Sequence, residues 1–264
     1  KQELVFNMKT GKHLGKKSKR VSIVFFIRII LFVIAVLCVI NITKWVCENQ
    51  KNKNILSDIN KNVKLENTLD IQGIEVEKYS VDFRNLKDKN QDIVGWIKVK
   101  GTAIEYPVVK GADNSFYLTH SLDKSYNSAG WIFADYKNKL DGNDKNIVIY
   151  GHNRRDGTMF GSLQNVLKEQ WYNNKENQYI TFEEENETEI YQVFSVYQIE
   201  VEDYYIKTSF DTEGKFEEFI NTIKSRSINN FETDVKTDDN ILTLSTCANN
   251  NKYRVVLHAK KVNN

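Results

Sequence analysis

The sequence predicts a mostly β domain, an antiparallel barrel or sandwich, carried behind a single N-terminal transmembrane helix. Three observations lead there. Seven or eight short apolar runs with strand-like alternation follow one another between residues 93 and 259. Two short segments among them have helical spacing, the clearer one at Phe216, Phe219, Ile220 and Ile223. An apolar run over residues 21–43 approaches the roughly 20 residues that cross a bilayer as helix.

Residues 9–20 carry six Lys/Arg and no acid, so the positive-inside rule puts the N-terminus in the cytoplasm and the bulk of the chain outside. Arg28 is the one charge within the apolar run, about two turns from its basic end, where the side chain can snorkel to the headgroups. A cleaved signal peptide is the rival, but no A-x-A site follows and the run is long for such a segment. A lipid-attachment role for Cys38 is opposed by the bulky Leu37 before it. Residues 1–7 precede the first methionine, Met8, as expected of a start-site artefact or of residues added to the native chain. The resulting organisation is a basic tail (1–20), an anchor (21–43), a stalk (44–75) and one main domain (76–264). In the stalk Ile55, Ile59, Val63 and Leu65 give weak helical spacing, read as one or two short helices or as a solvated linker.

The formal net charge is +2, but residues 1–43 hold eight Lys/Arg against Glu3, or +7, so the other 221 residues sum to −5. A mildly acidic main domain argues against nucleic-acid binding, which needs clustered cations. One proline and twelve glycines argue against a collagen-like or long disordered chain.

In the main domain, 83–90 is a short polar segment and 93–99 and 103–109 are strands. Pro107 cannot donate to a ladder and belongs at an edge or a bulge. Residues 116–120 form a helical turn. Further strands fall at 131–134, 146–150, 178–182, 189–199, 241–246 and 253–259. Met159, Leu163, Val166 and Leu167 follow helical spacing, and the charged stretches 141–145 and 183–187 read as a solvated face.

Of three cysteines, Cys38 lies in the apolar run and Cys47 just beyond it, leaving Cys247 alone in the main domain. A lone thiol in an exported domain is either a buried small hydrophobe or a reactive group. It stands at the end of a strand, with Arg254 seven residues on as a possible oxyanion partner and a small-then-polar turn, Ala248 then 249–251, that leaves it approachable. Among the histidines, His13 is on the cytoplasmic side, His120 has no neighbouring signal, and His258 reads as a core or surface strand residue. His152 ends a strand at Gly151-His152-Asn153, at a strand mouth suited to catalysis, although a turn histidine bonded locally reads the same way. No HExxH, CxxC or paired histidine gives metal spacing, and no glycine-rich phosphate loop is present.

Thr243-Leu244-Ser245-Thr246-Cys247 (TLSTC), with Arg254 on the next strand and Tyr150-Gly151-His152 upstream, resembles the signature of sortases, the cysteine transpeptidases of Gram-positive surfaces. Residues 92–118 and GWIFAD at 130–135, together with a helix inserted before the last two strands, resemble class B specifically. The resemblance covers residues 75–260. It implies a closed sortase-type β-barrel of about eight strands with N-terminal helices, and no cofactor or metal. It also implies roles: Cys247 as thiolate nucleophile, His152 as general acid–base, and Arg254 holding the oxyanion or the substrate carbonyl. Asn114, Leu118, Tyr150, Tyr205, Ile206, Ser245 and Thr246 match or adjoin substrate-groove positions; ordinary barrel packing is the alternative for each. The implied partners are a surface protein bearing a sorting signal, an amine of the peptidoglycan cross-bridge or its lipid-linked precursor, and the membrane through the N-terminal helix. Two other readings stand beside this one: a pilin-polymerising sortase using a Lys nucleophile, and a non-catalytic surface-binding protein.

Overall fold

The computed structural model describes residues 17–185, 187–247 and 252–262, with the backbone alone for 17–22 and Cys247. His13, the rest of the basic tail before residue 17, and the turn at 248–251 therefore lie outside the described residues. The chain divides into two units, Lys1–Cys47 and Glu48–Asn264.

Helix α1 (Lys17–Asn60) begins in the first unit and ends in the second. In the first unit Ile23, Phe26, Ile30, Phe32, Leu37, Ile40 and Ile42 are all exposed. A helix that is apolar all round without being covered by protein has the form a bilayer accepts, and this one is long and apolar enough to cross it. The expected break after residue 43 is absent. No Gly or Pro occurs between 17 and 60, so nothing in the backbone stops the helix there.

The expected stalk of short helices (44–75) is corrected in its second half. Strands β1 (Val63–Ile71) and β2 (Ile74–Val81) form an antiparallel hairpin that runs through the 75/76 boundary. Val63, Leu65, Leu69 and Ile71 fit a period of two better than the helical spacing begun by Ile55 and Ile59. The turn places Gln72 and Gly73 at φ 55° and 81°, the pair of left-handed residues that a tight hairpin needs. The hairpin is tied to the barrel through Glu183, which accepts from the Tyr79 N–H (2.8 Å) and the Thr188 hydroxyl (2.6 Å). Burial raises the Glu183 pKa. The stretch 183–187 is thus not simply a solvated face. Neither is 141–145, where buried Asp144 accepts from the N–H groups of Lys139 and Leu140. The segment read as polar, 83–90, contains helix α2 (Phe83–Lys89), capped by Asp82 and burying Phe83 and Leu86.

The barrel strands are β3 (Ile93–Val99), β4 (Ile104–Val109), β5 (Phe133–Ala134), β6 (Asn146–His152), β7 (Tyr179–Glu183), β8 (Thr188–Glu200), β9 (Ile241–Cys247) and β10 (Tyr253–Lys261). Helix α3 (Glu169–Tyr172) lies between β6 and β7, and α4 (Glu213–Ser225) between β8 and β9. The sheet closes in the order β10-β8-β7-β3-β4-β5-β6-β9, which makes the domain a barrel rather than a sandwich. Among the described residues, only β4–β5 and β6–β9 pair in parallel. Pro107 is tolerated inside β4 because β5 is two residues long and pairs only at Val109, leaving the strand an edge at the level of the proline.

The barrel interior is apolar, with Ile97, Val108, Ile149, Phe182, Leu244 and Leu257 fully buried. Phe216, Phe219, Ile220 and Ile223 of α4 form a second cluster with Phe194, Tyr197 and Val256. Thr212 caps that helix through the Lys215 N–H.

Candidate active site

Strands β6 and β9, distant in sequence, run side by side. Their register pairs Tyr150 with Ser245, Gly151 with Thr246 and His152 with Cys247. Parallel partners stand about 5 Å apart across the ladder. Barrel closure alone therefore sets the backbone of Cys247 beside His152. On the other side of β9, Val256 of β10 pairs with Ser245, and Arg254 lies two residues before Val256, towards the end of β9 that carries Cys247. Gly151 has a local reason to be glycine: a Cβ there would meet the Phe160 ring at 2.6 Å.

His152 is 7% exposed, and its Nε2 lies 2.7 Å from the Leu118 carbonyl oxygen. A carbonyl only accepts, so Nε2 carries the proton and Nδ1 of the neutral ring keeps its lone pair. Burial lowers the His152 pKa, and the nearby Arg154 guanidinium adds to this against the opposing bond to Leu118. Arg154 is held by Asp156 (3.0 Å) and Asn49 (2.7 Å), so its charge is fixed in place. Arg254 is half-buried and donates from Nη1 to the Tyr253 carbonyl at 3.3 Å.

A groove of about 840 Å³ opens over these strands, and His152 and Arg254 line it with Asn114, Leu118, Tyr150, Tyr205, Ile206, Ser245 and Thr246. Every site residue read from the sequence thus shares one cavity, except that the Cys247 side chain is outside the described residues. Several positions do not act through their most obvious atoms. The Thr246 hydroxyl accepts from the Val255 N–H (3.0 Å), fastening β10 to β9. The Ser245 hydroxyl meets the Tyr205 hydroxyl at 3.0 Å, tying the groove wall at 204–206 to the strand. The Asn114 side chain bonds Asp135 (2.8 Å) and the Tyr136 N–H (3.0 Å).

The sequence pattern does not mark Thr119, Tyr126, Ser128 or Phe133 as groove residues, yet they line it together with Val201, Glu202 and Asp203, which fall in the groove-shaping stretch 200–210. Thr119 and the 201–203 stretch adjoin residues already singled out. Phe133 was visible only as a strand residue, and nothing in the local pattern marks Tyr126 or Ser128. His258 is a core residue. It is fully buried between Thr243 and Tyr197, each 2.8 Å away, and its pKa is pushed down by burial to about 3. His120 stacks on Phe116 at 4.0 Å, outside the groove lining.

The Sortase domain family model matches residues 97–262. The chain is 35% identical to Sortase B of Listeria monocytogenes over 221 residues, covering 81% of this chain and 87% of that protein. It belongs to the sortase family. Its similarity is to class B members, which share the closed barrel. The crystal structure of Clostridium perfringens sortase B is 38% identical with a TM-score of 0.65, covering 69% of this chain and 100% of that one. The Staphylococcus aureus sortase B–substrate complex is 36% identical with a TM-score of 0.65, covering 68% and 84%. This sortase is thus a cysteine transpeptidase by family, and TLSTC, His152 and Arg254 all fall within the matched span.

Proposed function

We propose that this sortase is membrane-anchored, cleaves the C-terminal sorting signal of a surface protein after Thr, and joins that protein to an amine of peptidoglycan or its lipid-linked precursor. The observation that carries the reading is the pairing of His152 with Cys247 on β6 and β9, at the groove that Arg254 also lines. The similar S. aureus structure is a sortase B–substrate complex, which favours a peptide occupant for this groove.

In the proposed sequence, Cys247 Sγ attacks the Thr carbonyl carbon of a Thr–Gly or Thr–Asn bond, and its proton passes to His152 Nδ1. Arg254 stabilises the oxyanion, an effect of about 3 kcal/mol for one donor in comparable sites. The C–N bond breaks, His152 protonates the departing amine, and a thioester to Cys247 remains. The acceptor amine then attacks the thioester and yields its proton to His152. Collapse of that adduct forms the new amide and returns the sulfur, which recovers the proton. The anchor at 21–43 and the basic stretch 9–20 support a cytoplasmic N-terminus with the barrel facing the wall.

The test is a panel of fluorogenic LPxTG-, NPxTN- and SPxTG-like peptides with wild type, Cys247→Ala, His152→Ala and Arg254→Ala. At least one peptide is cleaved by wild type and by none of the variants at more than about a hundredth of its rate. Full activity of Cys247→Ala rules the mechanism out. Mass spectrometry of the ligated product identifies the acceptor; a protein Lys there would instead favour pilin polymerisation.

A further inference from the structure

We propose that Asp135 is a positioning residue of the groove: its buried carboxylate clamps Asn114 and Tyr150, and so fixes the hydrogen-bonding atom that Asn114 offers to a bound peptide. This rests on the peptide-processing reading for its substrate, but the clamp is visible in the fold itself.

Asp135 follows β5 directly, and its backbone N–H donates to the Val148 carbonyl of β6 (2.8 Å), which roots it in the barrel. It is 3% exposed, and among the described residues no ion pair is found for it. A buried carboxylate without a cation is costly unless its oxygens are hydrogen-bonded. Three donors meet it: Asn114 Nδ2 at 2.8 Å and the Tyr150 hydroxyl at 2.9 Å on Oδ2, and the Lys137 N–H at 2.9 Å on Oδ1. Two of the three come from side chains that line the groove. Stability alone gives no reason for this arrangement, because a well-packed apolar residue would avoid the desolvation altogether.

The consequence for Asn114 is a settled amide orientation. Its Oδ1 accepts from the Tyr136 N–H at 3.0 Å while Nδ2 donates to Asp135. An amide nitrogen has two hydrogens, and the second remains as a donor at the groove. A donor there suits a backbone carbonyl, which an extended peptide presents at every residue. Tyr150 has the opposite fate. Its hydroxyl hydrogen is directed at Asp135, and its ring, 5.3 Å from that of Phe133, forms apolar wall.

Asp135→Asn cannot accept at both oxygens and disrupts the clamp with almost no change in volume. In the full-length chain, the expected result is a roughly tenfold rise in KM for the peptide that wild type processes, with kcat within about threefold. Tyr150→Phe removes one donor and moves KM the same way by less. Because Asp135 acts through Asn114, adding Asp135→Asn to Asn114→Ala raises KM no further. The side-chain amide resonances of Asn114 in the 15N-labelled protein report the clamp directly and shift in Asp135→Asn. An unchanged KM in a folded Asp135→Asn protein, or full additivity with Asn114→Ala, overturns the proposal. Should Asp135→Asn fail to fold, Tyr150→Phe carries the same kinetic test, and an unaltered KM there overturns it. If wild type processes no peptide, the transpeptidase reading fails, and the Asn114 resonances decide the clamp alone: unmoved in Asp135→Asn, they overturn it.

Discussion

His152 and Cys247 are register partners across the parallel pair β6–β9, with no loop between them. The two positions come together because the barrel closes, so their spacing is as rigid as the sheet. This contrasts with the wall at 204–206, whose position depends on individual side-chain bonds. Mutations at the strand pair should therefore act on the chemical step, and mutations at the wall on substrate binding.

The depressed pKa of His152 makes a signed prediction. Burial and Arg154 both favour the neutral ring, so His152 stays able to accept the thiol proton below pH 6.5. The acid limb of kcat/KM against pH should accordingly lie below the ordinary histidine value. Arg154→Gln removes the cationic contribution and should move that limb upward. A limb above 6.5 in wild type, or a downward move in the variant, contradicts this account.

Gly151 precedes His152 and lies against Phe160, leaving no room for a methyl group. Gly151→Ala should destabilise the fold by about 1–3 kcal/mol through overpacking. It should also lower kcat, since β6 must shift where it presents His152. Thermal unfolding and peptide turnover measure the two effects; wild-type values for both would mean that Phe160 moves aside freely.

Much of this was legible in the sequence because it depends on local pattern. The barrel strands announce themselves by alternation, α4 by its four apolar positions, and the site by a compact motif at a strand end. The hairpin β1–β2 is obscured in the sequence because Ile55 and Ile59 begin a helical spacing that Val63 continues. Helix α2 was missed because only Phe83 and Leu86 mark its apolar face in seven residues. In the sequence Asp135 is simply the last residue of GWIFAD; its role arises from Asn114 and Tyr150, which approach it only in the folded barrel.

His258 predicts a stability effect at acid pH. The Thr243 hydroxyl donates to Asn146 Oδ1 (2.7 Å), so His258 Nδ1–H donates to Thr243, and Nε2 accepts from Tyr197. Protonation would give Nε2 a hydrogen facing that donor. With a folded pKa of about 3 against 6.5 unfolded, the neutral histidine's contribution is complete above pH 6.5 and is lost as pH falls towards 3. By pH 4.5 the loss is roughly 2–3 kcal/mol. Between pH 7 and 4.5 the Tm of wild type should fall roughly 5–10 °C further than that of His258→Gln. Equal falls would assign acid sensitivity to other groups.

The wall segment gives the last prediction. Two of the bonds that hold it are the Tyr205 hydroxyl to Ser245 at 3.0 Å and Asn146 Nδ2, which donates to the Lys207 carbonyl at 2.8 Å. Ser245 also contacts the Thr246 carbonyl at 3.4 Å, so Tyr205→Phe does not strand its hydroxyl. The stability cost should be about 0.5–1.5 kcal/mol. Asn146→Ala should cost more, about 1–3 kcal/mol, because it leaves the buried Thr243 hydroxyl without its acceptor as well as releasing Lys207. Both variants should raise KM for the sorting peptide more than they lower kcat, since each loosens the wall while β6 and β9 keep their register. Equal loss in kcat from Tyr205→Phe would mean that the wall and the His152–Cys247 strand pair are not mechanically separate.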